Sequence, residues 1–136
     1  AILFKLENGL RVFIRERLED KFKDRGGWLK RIPGKIVKKC EERALKERSS
    51  YQDLGSDFLI DYADFKDLKE IILEKENWTH AFKQCFHNEN EIGIKLIELE
   101  PIRNTIAHNR PISDKELKRL QVFSNDIERC MSTATS

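Results

Sequence analysis

The stretch Pro101-Ile102-Arg103-Asn104-Thr105-Ile106-Ala107-His108-Asn109-Arg110-Pro111 decides how this chain is read. It is a helical segment bracketed by two prolines, and no other stretch combines a fixed cation, a titratable imidazole and polar amides so densely. Pro111 disfavours helical geometry at Arg110, so the helix is expected to stop near His108 or Asn109. Pro101 removes one backbone hydrogen bond and crowds the turn before it, which predicts a kink between Glu98 and Pro101. Upstream, from Asn90, residues Ile92, Leu96, Leu99, Ile102 and Ile106 repeat at helical steps into this stretch. Downstream, Ser113-Asp114-Lys115-Glu116 has the spacing of a capping box and opens a last helix through Leu117, Leu120, Phe123, Ile127 and Cys130. The tail from Ser132 to Ser136 is expected to fray.

The rest of the chain reads as helices of the same kind. Leu3, Leu6, Leu10, Phe13, Ile14 and Leu18 recur at three- and four-residue steps, predicting an amphipathic helix over 2–22 with Arg11, Arg15 and Arg17 on its other side. Gly26-Gly27 ends it, and Trp28 to Ile32 leads to a turn at Pro33-Gly34. A second helix over 35–48 packs through Ile36, Val37, Cys40, Ala44 and Leu45, and the pattern breaks at Ser49 to Asp53. Residues 57–65 read equally as a short strand or a helical turn. Asp64 is placed to N-cap a helix over 65–74 with Phe65, Leu68, Ile71 and Ile72 on one face. Trp78, Ala81, Phe82, Cys85 and Phe86 form another short apolar face, read as core rather than as a base-stacking platform. The result is an all-α chain, one domain over 1–136 built as a bundle of roughly five or six helices, without repeats or a glycine-rich phosphate loop.

Composition bounds the function. At 136 residues the chain is long enough to bury a core without disulfides or metal. A hydrophobic fraction of 39% beside 37% charged residues is that of a charge-rich globular domain, not of a disordered chain. No apolar run approaches the ~20 residues that cross a bilayer and no signal peptide is visible, so a cytoplasmic protein is expected, with no membrane partner. The chain begins at Ala1 already in helical pattern, which reads as a domain excised from a longer protein. Cys40, Cys85 and Cys130 are far apart and are read as reduced thiols. His80 and His87 flank Cys85, but a fourth ligand is missing, so no metal and no cofactor are expected. Residues 1–48 carry 15 Lys and Arg against 8 Asp and Glu, whereas 49–136 carry 11 against 16. The basic third could face phosphate backbones, or its interleaved carboxylates could make it an ordinary solvated helix surface.

Helix geometry constrains the chemistry. At ~100° per residue, Arg103 and His108 lie about 140° apart around one helix and need not converge on a small target. Asn104 and His108 share a face, so the amide could orient the imidazole. Two such helix ends related by a two-fold axis would put two arginines and two histidines around one groove. Those groups suit RNA cleavage without metal, where a base near neutral pKa handles the 2′-hydroxyl proton and fixed cations stabilise the charged phosphorane. The plain alternative is that Arg103 forms a salt bridge and His108 sits at a helix end where an imidazolium meets the negative pole.

The segment Ile102 to Arg110, with arginine, a polar residue after it and a histidine beyond, resembles the signature of the HEPN superfamily. Leu6-Glu7-Asn8 with Leu10 to Ile14, Trp28 with Arg31-Ile32-Pro33, Tyr62 to Leu68 before Ile71-Ile72, and Trp78 with Phe82 are similar to HEPN domains attached to a PIN-type RNA endonuclease of mRNA surveillance and their bacterial relatives. The resemblance implies an all-α HEPN-like bundle that dimerises through the motif helices. It implies catalytic roles for Arg103 and His108, with Asn104 the polar position beside the arginine, and substrate contact by Asn109 and Arg110 by position. Active relatives are metal-independent endoribonucleases of toxin–antitoxin and anti-phage systems. Two functions are therefore expected as competitors. One is a homodimeric endoribonuclease that acts on RNA, leaves a 2′,3′-cyclic phosphate and has an antitoxin as a further partner. The other is a non-catalytic dimerisation or RNA-binding accessory domain of a larger protein.

Overall fold

The computed structural model describes residues 2–23, 27–47 and 56–135. In order these form α1 (Ile2–Lys21), a 3-10 turn (Trp28–Arg31), α2 (Gly34–Glu47), a 3-10 segment (Ser56–Tyr62), α3 (Phe65–Leu73), α4 (Lys75–Asn77), a π-helical turn (Trp78–Phe82), α5 (Lys83–Phe86), α6 (Glu89–Ala107) and α7 (Asp114–Thr135). No strand occurs among the described residues, and the run from α4 through α5 is one helix interrupted by its π turn. The architecture is the all-α bundle the periodicity predicts. Among the described residues no helix is long and apolar enough to cross a membrane.

All six apolar positions read from the α1 pattern are buried. They meet one core that includes Phe65, Leu68, Ile71 and Ile72 of α3 and Leu96, Leu99 and Ile102 of α6. Phe13 of α1 lies 6.5 Å from the ring of Phe82 and 5.9 Å from that of Phe86, tilted and edge-on, the arrangements that aromatic quadrupoles favour. Among the described aromatic residues of the middle third, Phe65, Trp78, Phe82 and Phe86 are core and Tyr62 packs against it half-buried. Two predicted caps hold. The Asp64 carboxylate accepts from the Asp67 N–H at 2.8 Å while that of Asp67 accepts from the Asp64 N–H at 3.2 Å. Ser113 Oγ and the Glu116 carboxylate exchange the same bonds at 3.1 and 3.0 Å.

Several expectations change. Of the two readings left open for the segment from Ser56, the helical one holds, as a 3-10 helix, although the side chains of Asp57 and Phe58 lie outside the description. Gly26, Arg48, the Ser49 to Asp53 break and Ser136 also lie outside it. Pro33 does not make a separate turn: its carbonyl accepts from Ile36 and Val37 at 2.9 and 3.1 Å and starts α2 directly. Leu45, Ile106 and Leu117 are exposed, so their apolar faces are narrower than the spacing suggests. Instead of fraying at Ser132, α7 continues to Thr135, because Met131 and Ala134 pack against the core. Pro101 lies inside α6, which runs through it as the helical spacing predicts.

In the basic N-terminal third, Arg11, Arg17 and Arg43 are tertiary clamps, while Arg15, Lys21 and Lys23 pair with the interleaved Glu19 and Asp20. Arg11 donates through Nε and Nη2 to the Ala63 carbonyl at 3.2 and 2.7 Å, and Arg17 does the same to Ala81 at 3.0 and 2.9 Å. Arg43 reaches the Tyr62 carbonyl and the Asp67 carboxylate, both at 2.7 Å. These three arginines are not free for a phosphate backbone. Burial pushes the Cys40 thiol up to about 11, with Asp67 and Asp64 adding to it, and burial also raises that of Cys85, so both thiols stay protonated.

Burial works against ionisation of Asp67, but the hydrogen bond from Arg43, the Asp64 N–H and the charges of Arg43 and Lys39 outweigh it and hold the carboxyl below its usual range. A lowered folded-state pKa contributes stability above the ordinary aspartate pKa, and this contribution is lost as pH falls through the folded value. Asp67→Asn is expected to cost about 1–3 kcal/mol at pH 7. In urea titrations that gap should close progressively as pH drops below the ordinary aspartate range, and a gap that persists unchanged to low pH would contradict the assignment.

Candidate functional site

α6 divides its residues between two environments. Ile92, Leu96, Leu99 and Ile102 are buried, and Arg103 lies on this inward side. Its Nε donates to Glu7 Oε1 of α1 at 3.0 Å, and its side chain remains 34% exposed. Among the described residues its Nη1 and Nη2 have no hydrogen-bond partner. The other oxygen of Glu7 stands 3.5 Å from Arg11 Nη2, so one buried carboxylate faces two guanidinium groups.

The outward side is different. Ile94 and Ile97, 54% and 53% exposed, lead through exposed Pro101 to exposed Asn104 and His108. The steps of three, four, three and four residues make this a single stripe along the helix. Arg103 and His108 therefore leave α6 in different directions, as their separation around the helix predicts, and one chain does not bring them together. Asn104 and His108 do share a face. Their link is through the backbone, where the His108 N–H donates to the Asn104 carbonyl at 3.1 Å. Among the described residues the Asn104 amide makes no bond to the imidazole, so its expected orienting role is not realised within the chain.

The helix stops where Pro111 predicts. The Asn109 N–H donates to the Ile106 carbonyl and the Arg110 N–H to that of Thr105, both at 3.0 Å, and Asn109 has φ 56°. This is a Schellman cap, with asparagine tolerating the left-handed region. Asn109 thus has a backbone role, while its side chain and that of Arg110 are exposed beside His108. Cys85 Sγ lies 3.6 Å from the Ala81 carbonyl and His80 pairs with Glu76 at 3.1 Å. Among the described residues no group of three His, Cys, Asp or Glu side chains is arranged to hold a metal.

A family model described as Swt1-like HEPN matches residues 2–132. The chain is a HEPN domain. No curated protein and no solved structure matches it. HEPN domains are commonly ribonucleases, and in this one the Arg-Asn and His positions occupy the last two turns and cap of α6. Sequence reading placed Glu7 only within the family pattern and did not pair it with Arg103. Glu7 occupies the register of Leu3, Leu10 and Ile14 on the buried face of α1, and a charge in an apolar register signals a buried partner.

A second acid lies one turn before Arg103. Glu100 has Oε2 buried without a hydrogen-bond partner among the described residues. Burial, and then Asp64, raise its pKa, with Arg103 and the Lys66 backbone N–H pulling the other way. A carboxyl with a raised folded-state pKa contributes stability below the ordinary glutamate pKa, and this is lost as pH rises through the folded value. Glu100→Gln is therefore expected to raise the thermal midpoint at pH 7 and to leave it nearly unchanged at pH 4. A variant less stable than the parent at pH 7 would show that Arg103 and the Lys66 backbone N–H outweigh the burial of this carboxylate.

Proposed function

We propose that this HEPN domain is a metal-independent endoribonuclease that acts as a homodimer, with a composite site built from Arg103 and His108 of both chains. The observation that carries the reading is the stripe of α6. Two well-exposed isoleucines and a proline run on one face into Asn104 and His108. A second copy docked on that face would cover the isoleucines and place two imidazoles across one groove. It would also supply what a single chain lacks, since Arg103 and His108 diverge from one helix.

In that groove one His108 takes the proton of the 2′-hydroxyl as its oxygen attacks the adjacent phosphorus. The guanidinium of Arg103, with Nη1 and Nη2 open, stabilises the charge of the phosphorane. His108 of the partner subunit protonates the departing 5′-oxygen, leaving a 2′,3′-cyclic phosphate and a 5′-hydroxyl. Asn104, Asn109 and Arg110, exposed around the cap, contact RNA beside the scissile phosphate. A cytoplasmic toxin–antitoxin or anti-phage system, with an antitoxin as neutralising partner, is the setting this activity fits.

One observation favours the accessory reading instead. Arg103 already pairs with Glu7, as a purely structural arginine would. Cleavage of RNA in EDTA by the purified domain distinguishes the two. Arg103→Ala and His108→Ala are each expected to lower the rate by about 10²-fold or more, the scale of a lost general acid–base group. Cleavage persisting in both variants would leave the accessory reading. Ile97→Glu is expected to turn a dimer into a monomer in light scattering and to abolish cleavage with it. A fully active monomer would remove the composite site.

A further inference from the structure

We infer that Glu7 is a positioning residue for Arg103, holding its guanidinium by the Nε edge and leaving the Nη1 and Nη2 edge open for the phosphate. This rests on the ribonuclease reading of Arg103 and deepens it.

Packing alone does not call for an acid at this place. Glu7 lies on the buried face of α1, where an apolar side chain would fill the same space and avoid the desolvation of a carboxylate. What Glu7 adds is a charge fixed in direction. Arg11 stands 3.5 Å from its Oε2 and is itself immobilised by two bonds to the Ala63 carbonyl and one to Asn8 Oδ1 at 3.3 Å. The Ala63 carbonyl anchors Arg11, Arg11 orients Glu7, and Glu7 Oε1 receives Arg103 Nε.

The geometry of the last contact carries the inference. A guanidinium and a carboxylate pair most tightly by two parallel bonds. Here the hydrogen bond is through Nε, and among the described residues the two terminal nitrogens of Arg103 are unpaired while the side chain remains 34% exposed. A half-held arginine of this kind is a poor staple for two helices. It is a good anion site, because its rotamer freedom is lost before substrate arrives and its planar fork is kept for phosphate oxygens. Orientation of a group that acts in the transition state appears in kcat more than in KM.

The test compares wild type, Glu7→Gln and Glu7→Ala, each checked for unchanged circular dichroism and oligomeric state. Glu7→Ala is expected to lower kcat by about 10²-fold, the scale of a misplaced catalytic group, with KM within about threefold. Glu7→Gln, whose amide oxygen still accepts from Nε, should recover part of that loss. In ¹⁵N NMR the Arg103 Nε–H, assigned by its disappearance in Arg103→Lys, should exchange slowly with solvent in wild type and fast in Glu7→Ala. This readout stands even where the alanine variant folds poorly, because the wild-type and glutamine spectra are sufficient. A wild-type Nε–H exchanging as fast as that of a free arginine overturns the inference. So does cleavage that requires Arg103 and His108 but is indifferent to Glu7, which leaves the ribonuclease reading standing. Wild-type protein that cleaves no RNA overturns both.

Discussion

The carboxylate of Glu7 is the point on which this arrangement turns. A glutamate placed among the leucines of α1 is tolerable only if cations reach it, and they come from two places: Arg11 on the same helix and Arg103 near the end of α6. The rotation of α6 that brings Arg103 to Glu7 is set by the buried face of that helix, Ile92, Leu96, Leu99 and Ile102, packed in the core. Once Arg103 is turned inward, the helical repeat leaves no choice for the residues around it. Ile94, Ile97, Asn104 and His108 must face out.

The other arginine contacts follow a shared logic. Segments that are not regular α-helix leave carbonyls without an amide donor, and a buried unpaired carbonyl is costly. Tyr62 ends the 3-10 segment, Ala63 follows it, and Ala81 lies in the π turn. Arg43, Arg11 and Arg17 supply the missing donors. Asn77 does comparable work from the inside, donating to the Arg31 and Ile71 carbonyls at 2.8 and 2.9 Å. Three arginines of the first third thus support the irregular middle of the fold, and the exposed histidine and amides of the motif lie on α6 and its cap.

In the function proposed above, this end of α6 is one half of a composite site. The last turns of α6 present an imidazole on an exposed face continuous with unpartnered isoleucines, while the guanidinium of Arg103 sits around the flank against α1. Neither group completes the other within the chain. An apolar face that ends in polar, titratable groups is the kind of surface on which docking and chemistry coincide.

What the sequence by itself determined follows from rules that act over a few residues. The buried face of α1, the capping boxes at Asp64 and Ser113, and the end of α6 before Pro111 all depend on neighbours within about one turn. The family was also legible, because its pattern is spread along the whole chain. The angular divergence of Arg103 and His108 was legible too, being a property of a single helix. Tertiary structure decided which partners the charges find. Arg103 and Glu7 are 96 residues apart, Arg17 and Ala81 are 64 apart, and Arg11 and Ala63 are 52 apart. No periodicity encodes such pairs, because each exists only after the core has set the distance and rotation between helices. The same holds for the end of α7, helical to Thr135 because Met131 and Ala134 find the core. Local stereochemistry wrote the helices, and burial against distant segments chose which of their charges were enclosed and which were left facing water.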